Sequence, residues 1–365
     1  MVIDYSKSES HAVSKIKEAI PGWLSSSKVS KEGLFADLHE CKIFPDHLLA
    51  SSVDGVGTKL LIAEAMHKYN TVGIDLVAMN ANDLATLGRV SPFLFINYLA
   101  CQRRFQEEGL TGDLMKGIVK GLEQSDTSTI LRQDLSLNMG KGETASVDEL
   151  LGSLKPGYGF DMAGAMIGFM KKEDLSEPEG DTLIALKSSG PHSNGFTALR
   201  HMLLKGEFEN REEYQQHYKG RFSIDSPFEG STIGRHLLEP TRIYMKTMAA
   251  IAKEFKVTGI NNTGYGLKNL ARLKGFTFKI TDPIRPQPIF KLVQKEAKLR
   301  PEEMYERFNM GQGFFILCKK EDADDILSAS EQQGEEGKVI GTAEKGPSKI
   351  IFKTKDADFC LEGYG

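Results

Sequence analysis

Apolar residues along the chain fall into short compact runs that alternate with stretches at helical spacing, the rhythm of a protein that layers helices on sheets. His11 to Ile20 reads as a short amphipathic helix, carrying Lys17 and stopped by Pro21 and Gly22, because proline cannot donate to a helix and glycine frays it. The apolar run His47 to Ser52 enters the loop Val53-Asp54-Gly55-Val56-Gly57-Thr58-Lys59 before a helical pattern resumes, giving the order strand, glycine loop, helix. A helix is expected from Ile74 to Leu87, closed by Gly88 and carrying Asp75, Asn82 and Asp83. Pro92 to Ala100 reads as a buried strand, Phe105 to Gln124 as a helix, and Ser128 to Leu137 as another strand. Gly142-Glu143-Thr144 follows as a glycine turn, and Phe160 to Met170 as a strand.

The pattern loosens between Lys171 and Gly180, which sets the expected boundary between two domains, 1–170 and 171–365. A strand from Asp181 to Leu186 then runs into Ser188-Ser189-Gly190-Pro191-His192-Ser193-Asn194-Gly195, repeating the strand, loop and helix logic. Further on come a polar insertion from Glu207 to Lys219, the segment Pro240-Thr241-Arg242-Ile243-Tyr244 entering a long helix, and a glycine-bearing turn at Thr263 to Gly266. Strands near Phe276, Phe314 and Val339 complete this half. The fold class is therefore α/β (α+β) in two domains.

Composition narrows the function classes. The 365 residues exceed what one core usually sustains. Their 40% apolar and 26% charged residues belong to an ordinary globular protein, not a disordered one. With 46 basic and 50 acidic side chains and no basic block, nucleic acid is not expected as a partner. Cys41, Cys101, Cys318 and Cys360 form no Cys-x-x-Cys pair, so neither a zinc clamp nor a disulfide framework is expected. The first residues, MVIDYSKSES, lack the order of a secretory signal, and no run reaches membrane-spanning length. A cytoplasmic protein without a membrane partner is the expectation.

Candidate chemistry sits on the loops. Asp54 stands at a strand mouth beside glycines that let backbone approach a ligand, with Lys59 within the same turn to meet a phosphate. The spacing is not that of a Walker A loop, and a plain glycine turn with a solvated Asp and Lys fits the same residues. Asp75 and Asp83, eight residues apart, are expected on about one helix face with Asn82 alongside. Glu143 and Asp161 are the carboxylates that could converge there, and such hard oxygen ligands suit magnesium. His192, flanked by Pro, Ser, Asn and Gly on a loop, has little packing to do and reads as functional. Arg242 and Tyr244 either clamp an anion or begin a helix; both readings stay open.

Taken together, SVDGVGTK from Ser52, GIDLVAMNANDL from Gly73, GETA from Gly142, SSGPHSNG from Ser188, PTRIY from Pro240 and FNMG from Phe308 are far more specific than any one motif. In this order, the chain resembles the phosphoribosylformylglycinamidine cyclo-ligase (aminoimidazole ribonucleotide synthetase) family. The resemblance implies an N-terminal mixed-sheet domain, 1–170, that binds ATP and Mg2+ and forms a barrel across a homodimer. It also implies a C-terminal α/β domain, 171–365, that completes a cleft for a small phosphorylated ribonucleotide. Implied metal ligands are Asp54, Asp83 and Glu143. Lys17, Gly55, Gly57, Thr58, Lys59, Asp75, Asn82, Gly142 and Thr144 join them around the nucleotide. Ser189, Gly190, His192, Ser193, Asn194 and Arg242 meet the substrate, and His192, Asp54 and Lys59 are the implied catalytic set.

Four positions depart from the family pattern. The expected glycine-rich loop before the first core strand reads Val29 to Asp37 with one glycine. The stretch His-x-Thr-Gly-Gly-Gly appears as Ile260-Asn-Asn-Thr-Gly-Tyr-Gly266, without its histidine and its middle glycine. Lys141 replaces a glycine before GETA, and the N-terminal Ala-Gly-Val-Asp signature is missing. Two other readings therefore stand beside the first: a relative with another phosphoryl acceptor, and a non-catalytic nucleotide-binding dimer.

Overall fold

The computed structural model describes residues 6–29, 31, 33–132 and 135–363. After helix α1 (Ser6–Ala19), five strands build the first sheet: β1 (Asp37–Glu40), β2 (His47–Gly55), β3 (Ser91–Cys101), β4 (Asn138–Ser146) and β5 (Phe160–Lys171). Their spatial order is β1-β2-β5-β3-β4, with only β3 and β4 parallel. Side chains alternate across a strand, so Leu48, Ala50 and Ser52 of β2 turn inward while Val53 faces away and is 73% exposed. The inward face is covered by helix α3 (Asn70–Ala85), on which α5 (Leu110–Ser125) packs. The outward face, with Val53, Ile96, Tyr98 and Met139, is covered by nothing among the described residues of this chain.

Helix α3 is buried at all but two of its sixteen residues, Asn70 and Asp83. Burial on all sides requires a second layer, and the second domain supplies it through β9 (Thr258–Asn261) and the helix Met245–Glu254. Glycines set how closely α3 and α5 approach. A Cβ added at Gly73 would lie 2.3 Å from the Leu114 carbonyl oxygen, and one at Gly117 would lie 1.9 Å from that of Asn70.

The second domain begins with β6 (Thr182–Lys187), carries a small hairpin β7 (Pro227–Phe228) and β8 (Ser231–Thr232), and adds six strands to β6. These are β9, β10 (Phe276–Ile280), β11 (Gln312–Cys318), β12 (Gly337–Lys345), β13 (Lys349–Lys353) and β14 (Asp358–Glu362), arranged β14-β13-β10-β12-β6-β11-β9. Every residue of β11 and all but the last of β6 are buried. Strands covered on both faces read as continuous apolar runs, which is why Leu183 to Leu186 and Phe314 to Leu317 show no alternation. Among the described residues no helix is long and apolar enough to cross a membrane.

Three local expectations change. The helix expected from Phe105 to Gln124 is two helices, α4 (Arg103–Glu107) and α5, divided at Gly109, whose φ of 71° is a left-handed conformation that suits glycine. Residues 128–131 form a helical turn instead of starting a strand, and the strand begins at Asn138. Gly142, Glu143 and Thr144 consequently lie within β4, paired to Asn97, Tyr98 and Leu99 of β3, instead of on a glycine turn. Parallel pairing to β3 extends that segment, a constraint no local motif carries.

The α3 and α5 crossing yields a first expectation. Gly117→Ala should lose about 1–3 kcal/mol of unfolding free energy in urea titrations despite the better helix propensity of alanine, because its methyl meets backbone that cannot give way.

Candidate functional site

Strand β2 ends with Asp54 half-buried one residue before Gly55. The chain turns through Gly57, whose φ of 71° leaves open space where a Cβ would stand. A 3-10 turn over Gly57–Lys59 then enters α2 (Leu60–Met66). Asp54 Oδ1 accepts the Gly55 N–H at 2.7 Å. Burial raises this carboxyl above its ordinary value, opposed by that bond. Asp83, on the last turn of α3, accepts from Asn261 Nδ2 at 2.9 Å and from Ser52 Oγ at 3.3 Å. Its carboxyl is pushed up to about 7, chiefly by burial, with the Asn261 bond opposing and the charge of Asp54 adding to the rise.

Two carboxylates thus neighbour one another with only neutral donors bonded to them. That donor set fits a hard divalent cation, since magnesium is usually held by one or two carboxylates together with phosphate oxygens and water. Among the described residues no group of three or more His, Cys, Asp or Glu could hold a metal ion. Glu143 does not join Asp54 and Asp83 in the same chain. It lies three strands away across the first sheet, about 14 Å at the usual interstrand spacing. There it opens with Lys141, Val53, Ile96 and Tyr98 onto a cavity of about 280 Å³ on the uncovered face. Asp161 is exposed at the start of β5.

Asp75 also parts from Asp83. Eight residues at about 100° each leave an offset of about 80° and a rise of about 12 Å, so the two side chains serve different neighbours. Asp75 is 0% exposed and paired to Lys59 Nζ at 2.9 Å. The same carboxylate accepts the Thr241 N–H at 2.7 Å and the Thr241 hydroxyl at 2.6 Å. Lys59, equally buried, donates further to the backbone carbonyls of His192 at 2.8 Å and Glu239 at 2.6 Å. Burial pushes the ammonium below its ordinary value, and the charge of Asp75 pulls it back. The expected phosphate lysine is therefore turned into the protein. Asn82 is likewise occupied: it donates to the Arg242 carbonyl at 2.8 Å and accepts the Tyr244 N–H at 2.9 Å.

The loop Ser188 to Gly195 leaves β6 with His192 in a left-handed conformation, φ 59°. The imidazole departs from the expectation of a ligand-facing group: it is buried beneath the loop and its Nε2 accepts the Ser189 N–H at 3.3 Å. Burial first, then the charges of Lys59 and Arg242, hold it well below 6.5, at about 3. Ser193 is buried against the Thr241 hydroxyl at 3.1 Å, and Asn309 Nδ2 donates to the Gly190 carbonyl at 2.9 Å. Ser189 donates to the Pro240 carbonyl at 2.5 Å. Arg242 pairs with Glu335 at 2.7 Å. Ser189 and Arg242 line a cavity of about 520 Å³ that also takes in Lys120, Lys246 and Thr241. On the Asp54 side, the exposed Thr58 hydroxyl meets that of Thr197 at 3.0 Å, and half-buried Asn194 faces Gly264. Lys17 lies on α1, and its side chain is outside the described residues.

Several residues that were not among the candidate site residues complete the arrangement. Asn261 anchors Asp83, Thr241 anchors Asp75, and Asn309 with Gln287 holds Ser188. Asn261 was visible as the position where a histidine was expected, and its amide supplies a neutral donor there.

The fold is that of a two-domain α+β protein in which one buried helix and the Asp54 to Lys59 turn carry polar contacts between the halves. The family model described as AIR synthase related protein, N-terminal domain, matches residues 38–169, and its C-terminal counterpart matches 178–353. A phosphoribosylformylglycinamidine cyclo-ligase of Methanosarcina acetivorans is 38% identical over 304 residues, covering 82% of this chain and 80% of that protein. One from Fusobacterium nucleatum is 34% identical over 351 residues, covering 94% and 95%. The crystal structure of tt0281 from Thermus thermophilus shares the fold at 16% identity and a TM-score of 0.51, covering 93% of this chain and 96% of that one. The chain belongs to the AIR synthase related family.

The buried imidazole has a measurable consequence. A histidine kept neutral in the folded state binds its proton only on unfolding, so its stabilisation is complete above 6.5 and is lost as pH falls toward about 3. His201, lowered to about 4 mainly by burial, adds to the same loss. Urea titrations between about pH 4 and 6.5 should show a slope for His192→Asn that is shallower than wild type by up to about 1.4 kcal/mol per pH unit. Equal slopes would contradict the buried neutral ring.

Proposed function

We propose that this protein closes the imidazole ring of formylglycinamidine ribonucleotide with consumption of ATP, giving aminoimidazole ribonucleotide, ADP and phosphate. The observation that carries the reading is the Asp54 and Asp83 pair at the strand mouth, in a chain of this family. The formyl amide oxygen attacks the γ-phosphorus and ADP leaves. A nitrogen of the same substrate then attacks the activated carbon, the C–O bond breaks, and phosphate departs with the former amide oxygen. An amide oxygen is a poor leaving group until it carries phosphate, so the protein chiefly positions reactants and neutralises charge.

Asp54 and Asp83 are the chain's own ligands for Mg2+, which when bound offsets the charge of the phosphates. Gly55, Gly57 and Thr58 present backbone and a hydroxyl to the triphosphate, with Lys17 on the nucleotide side. The cavity beside Ser189 and Arg242 is assigned to the phosphorylated ribonucleotide, with Lys120 and Lys246 in its wall for the phosphate and Glu123, Glu239 and Glu335 in the same wall, Glu335 paired to Arg242. Gly190 and Asn194 shape the loop toward the substrate, and His192 and Ser193 hold that loop from beneath.

A homodimer is part of the proposal. The uncovered apolar face of the first sheet supports it, because a contiguous exposed patch of Val53, Ile96, Tyr98 and Met139 is costly in water and sheet faces of this kind pack against another layer. Gly142, Glu143 and Thr144 border that face, so their part in the site is proposed for the dimer and not for one chain.

Purified protein given formylglycinamidine ribonucleotide and MgATP should form aminoimidazole ribonucleotide, with Asp54→Asn lowering kcat by about 100-fold or more. Lys246→Ala should raise KM for the ribonucleotide several-fold with kcat little changed. Saturable MgATP binding without product would favour the non-catalytic reading. Val53→Asp with Ile96→Asp should turn a sedimenting dimer into monomer.

A further inference from the structure

Lys59 lies five residues beyond Asp54, and its ammonium is 0% exposed. An ammonium has three protons. Here they meet three groups of acceptors: the Asp75 carboxylate at 2.9 Å, the His192 carbonyl at 2.8 Å and the Glu239 carbonyl at 2.6 Å. The Phe196 ring closes the remaining side, its centroid 5.5 Å from Nζ. No donor is left over for a phosphate. Asp75 Oδ1 takes both the N–H and the hydroxyl of Thr241 besides Lys59, whereas the buried Oδ2 has no hydrogen-bond donor and faces only the Lys59 charge, which ties it the more closely to that cation. Each of these partners belongs to a different part of the cleft. Lys59 follows the Asp54 turn, Asp75 is on α3, His192 is on the Ser188 to Gly195 loop, and Glu239 and Thr241 flank Pro240.

We propose that Lys59 and Asp75 are a positioning pair which couples the Asp54 turn of the first domain to the two substrate-facing segments of the second, so that turnover depends on a lysine that touches no ligand. The proposal rests on the reading that this cleft binds MgATP and formylglycinamidine ribonucleotide. Its physical basis is the cost of exposing either charge alone. A swing of Lys59 toward a phosphate would strand the fully buried Asp75 carboxylate without its cation and would release two backbone carbonyls at once. The pair therefore holds the domains in one register, and a small loss of register between reacting groups is costly in rate.

The test compares wild type, Lys59→Met, Lys59→Met with Asp75→Asn, and Thr241→Val by thermal midpoint, by MgATP affinity in calorimetry, and by kcat and KM for ring closure. Expected for Lys59→Met are a lowered midpoint, a kcat down by about 100-fold, and MgATP affinity within about threefold of wild type. Adding Asp75→Asn should raise the midpoint again, because no buried charge is left unpaired. Thr241→Val leaves both charges paired and removes one hydrogen bond. It should lower kcat about fivefold with MgATP affinity unchanged, and it keeps the proposal falsifiable if Lys59→Met does not fold. A tenfold or greater loss of MgATP affinity in Lys59→Met at an unchanged midpoint would overturn the proposal and make Lys59 a phosphate ligand. So would an unaltered kcat in Thr241→Val. If wild type forms no aminoimidazole product, the functional reading fails by itself, and the midpoints and MgATP affinities still decide whether the pair couples the domains.

Discussion

The ion pair between Lys59 and Asp75 is the constraint around which the two domains are arranged. Breaking one side of a buried, hydrogen-bonded pair typically costs about 3–5 kcal/mol, comparable with a large part of a domain's net stability. The pair is tolerated here because Thr241, His192 and Glu239 satisfy the ammonium and Asp75 Oδ1, and the Lys59 charge stands against Oδ2, which has no hydrogen-bond donor of its own. Because those partners come from the second domain, satisfying the charges and docking the domains are one event.

Helix α3 shows why such matching is needed. It is buried between the first sheet and the second domain, yet it carries Asp75, Asn80, Asn82 and Asp83. A polar side chain in that position must be hydrogen-bonded or it costs stability. Asp75 takes Thr241, Asn82 takes the backbone of Arg242 and Tyr244, and Asp83 takes Asn261. The helix is thus a rail along which the second domain is registered at three points. The carboxylates on it end in opposite electrostatic states. Asp75 has a cation bonded to it, whereas Asp83 is bonded only by amide and hydroxyl donors, and burial, with the charge of Asp54 added, raises it although the Asn261 bond and the charge of Arg272 oppose the rise. A cation supplied from outside has work to do at Asp83 and none at Asp75.

Much of the fold was legible in the order of residues. Helical spacing from Ile74 onward, the unbroken apolar runs of β6 and β11, and the strand, loop and helix order at Asp54 and at Ser188 all correspond to elements that local periodicity specifies. The segment 128–137 was not legible in the same way, and neither was the strand that holds Glu143. In that strand, Asn138–Ser146, the conformation is set by parallel pairing with β3, and parallel partners lie far away in the chain.

What the sequence determined by itself was chemical identity and family: which loops carry carboxylates, glycines, hydroxyls and an imidazole, and in what order. Tertiary structure alone decided which of those groups face a ligand. Lys59, Asn82 and His192 have the same side chains whether turned to the cleft or away from it. The direction of Lys59 and Asn82 is set by backbone groups that the second domain brings within reach, and that of His192 by the fold of its own loop over the Ser189 N–H. Hydrogen-bond partners of a buried group come from wherever the fold places them, more than a hundred residues distant in each of the pairs Lys59 with His192, Asn82 with Arg242 and Asp83 with Asn261. Motif spacing carries no record of such distances, because direction is fixed by what needs to be satisfied on burial.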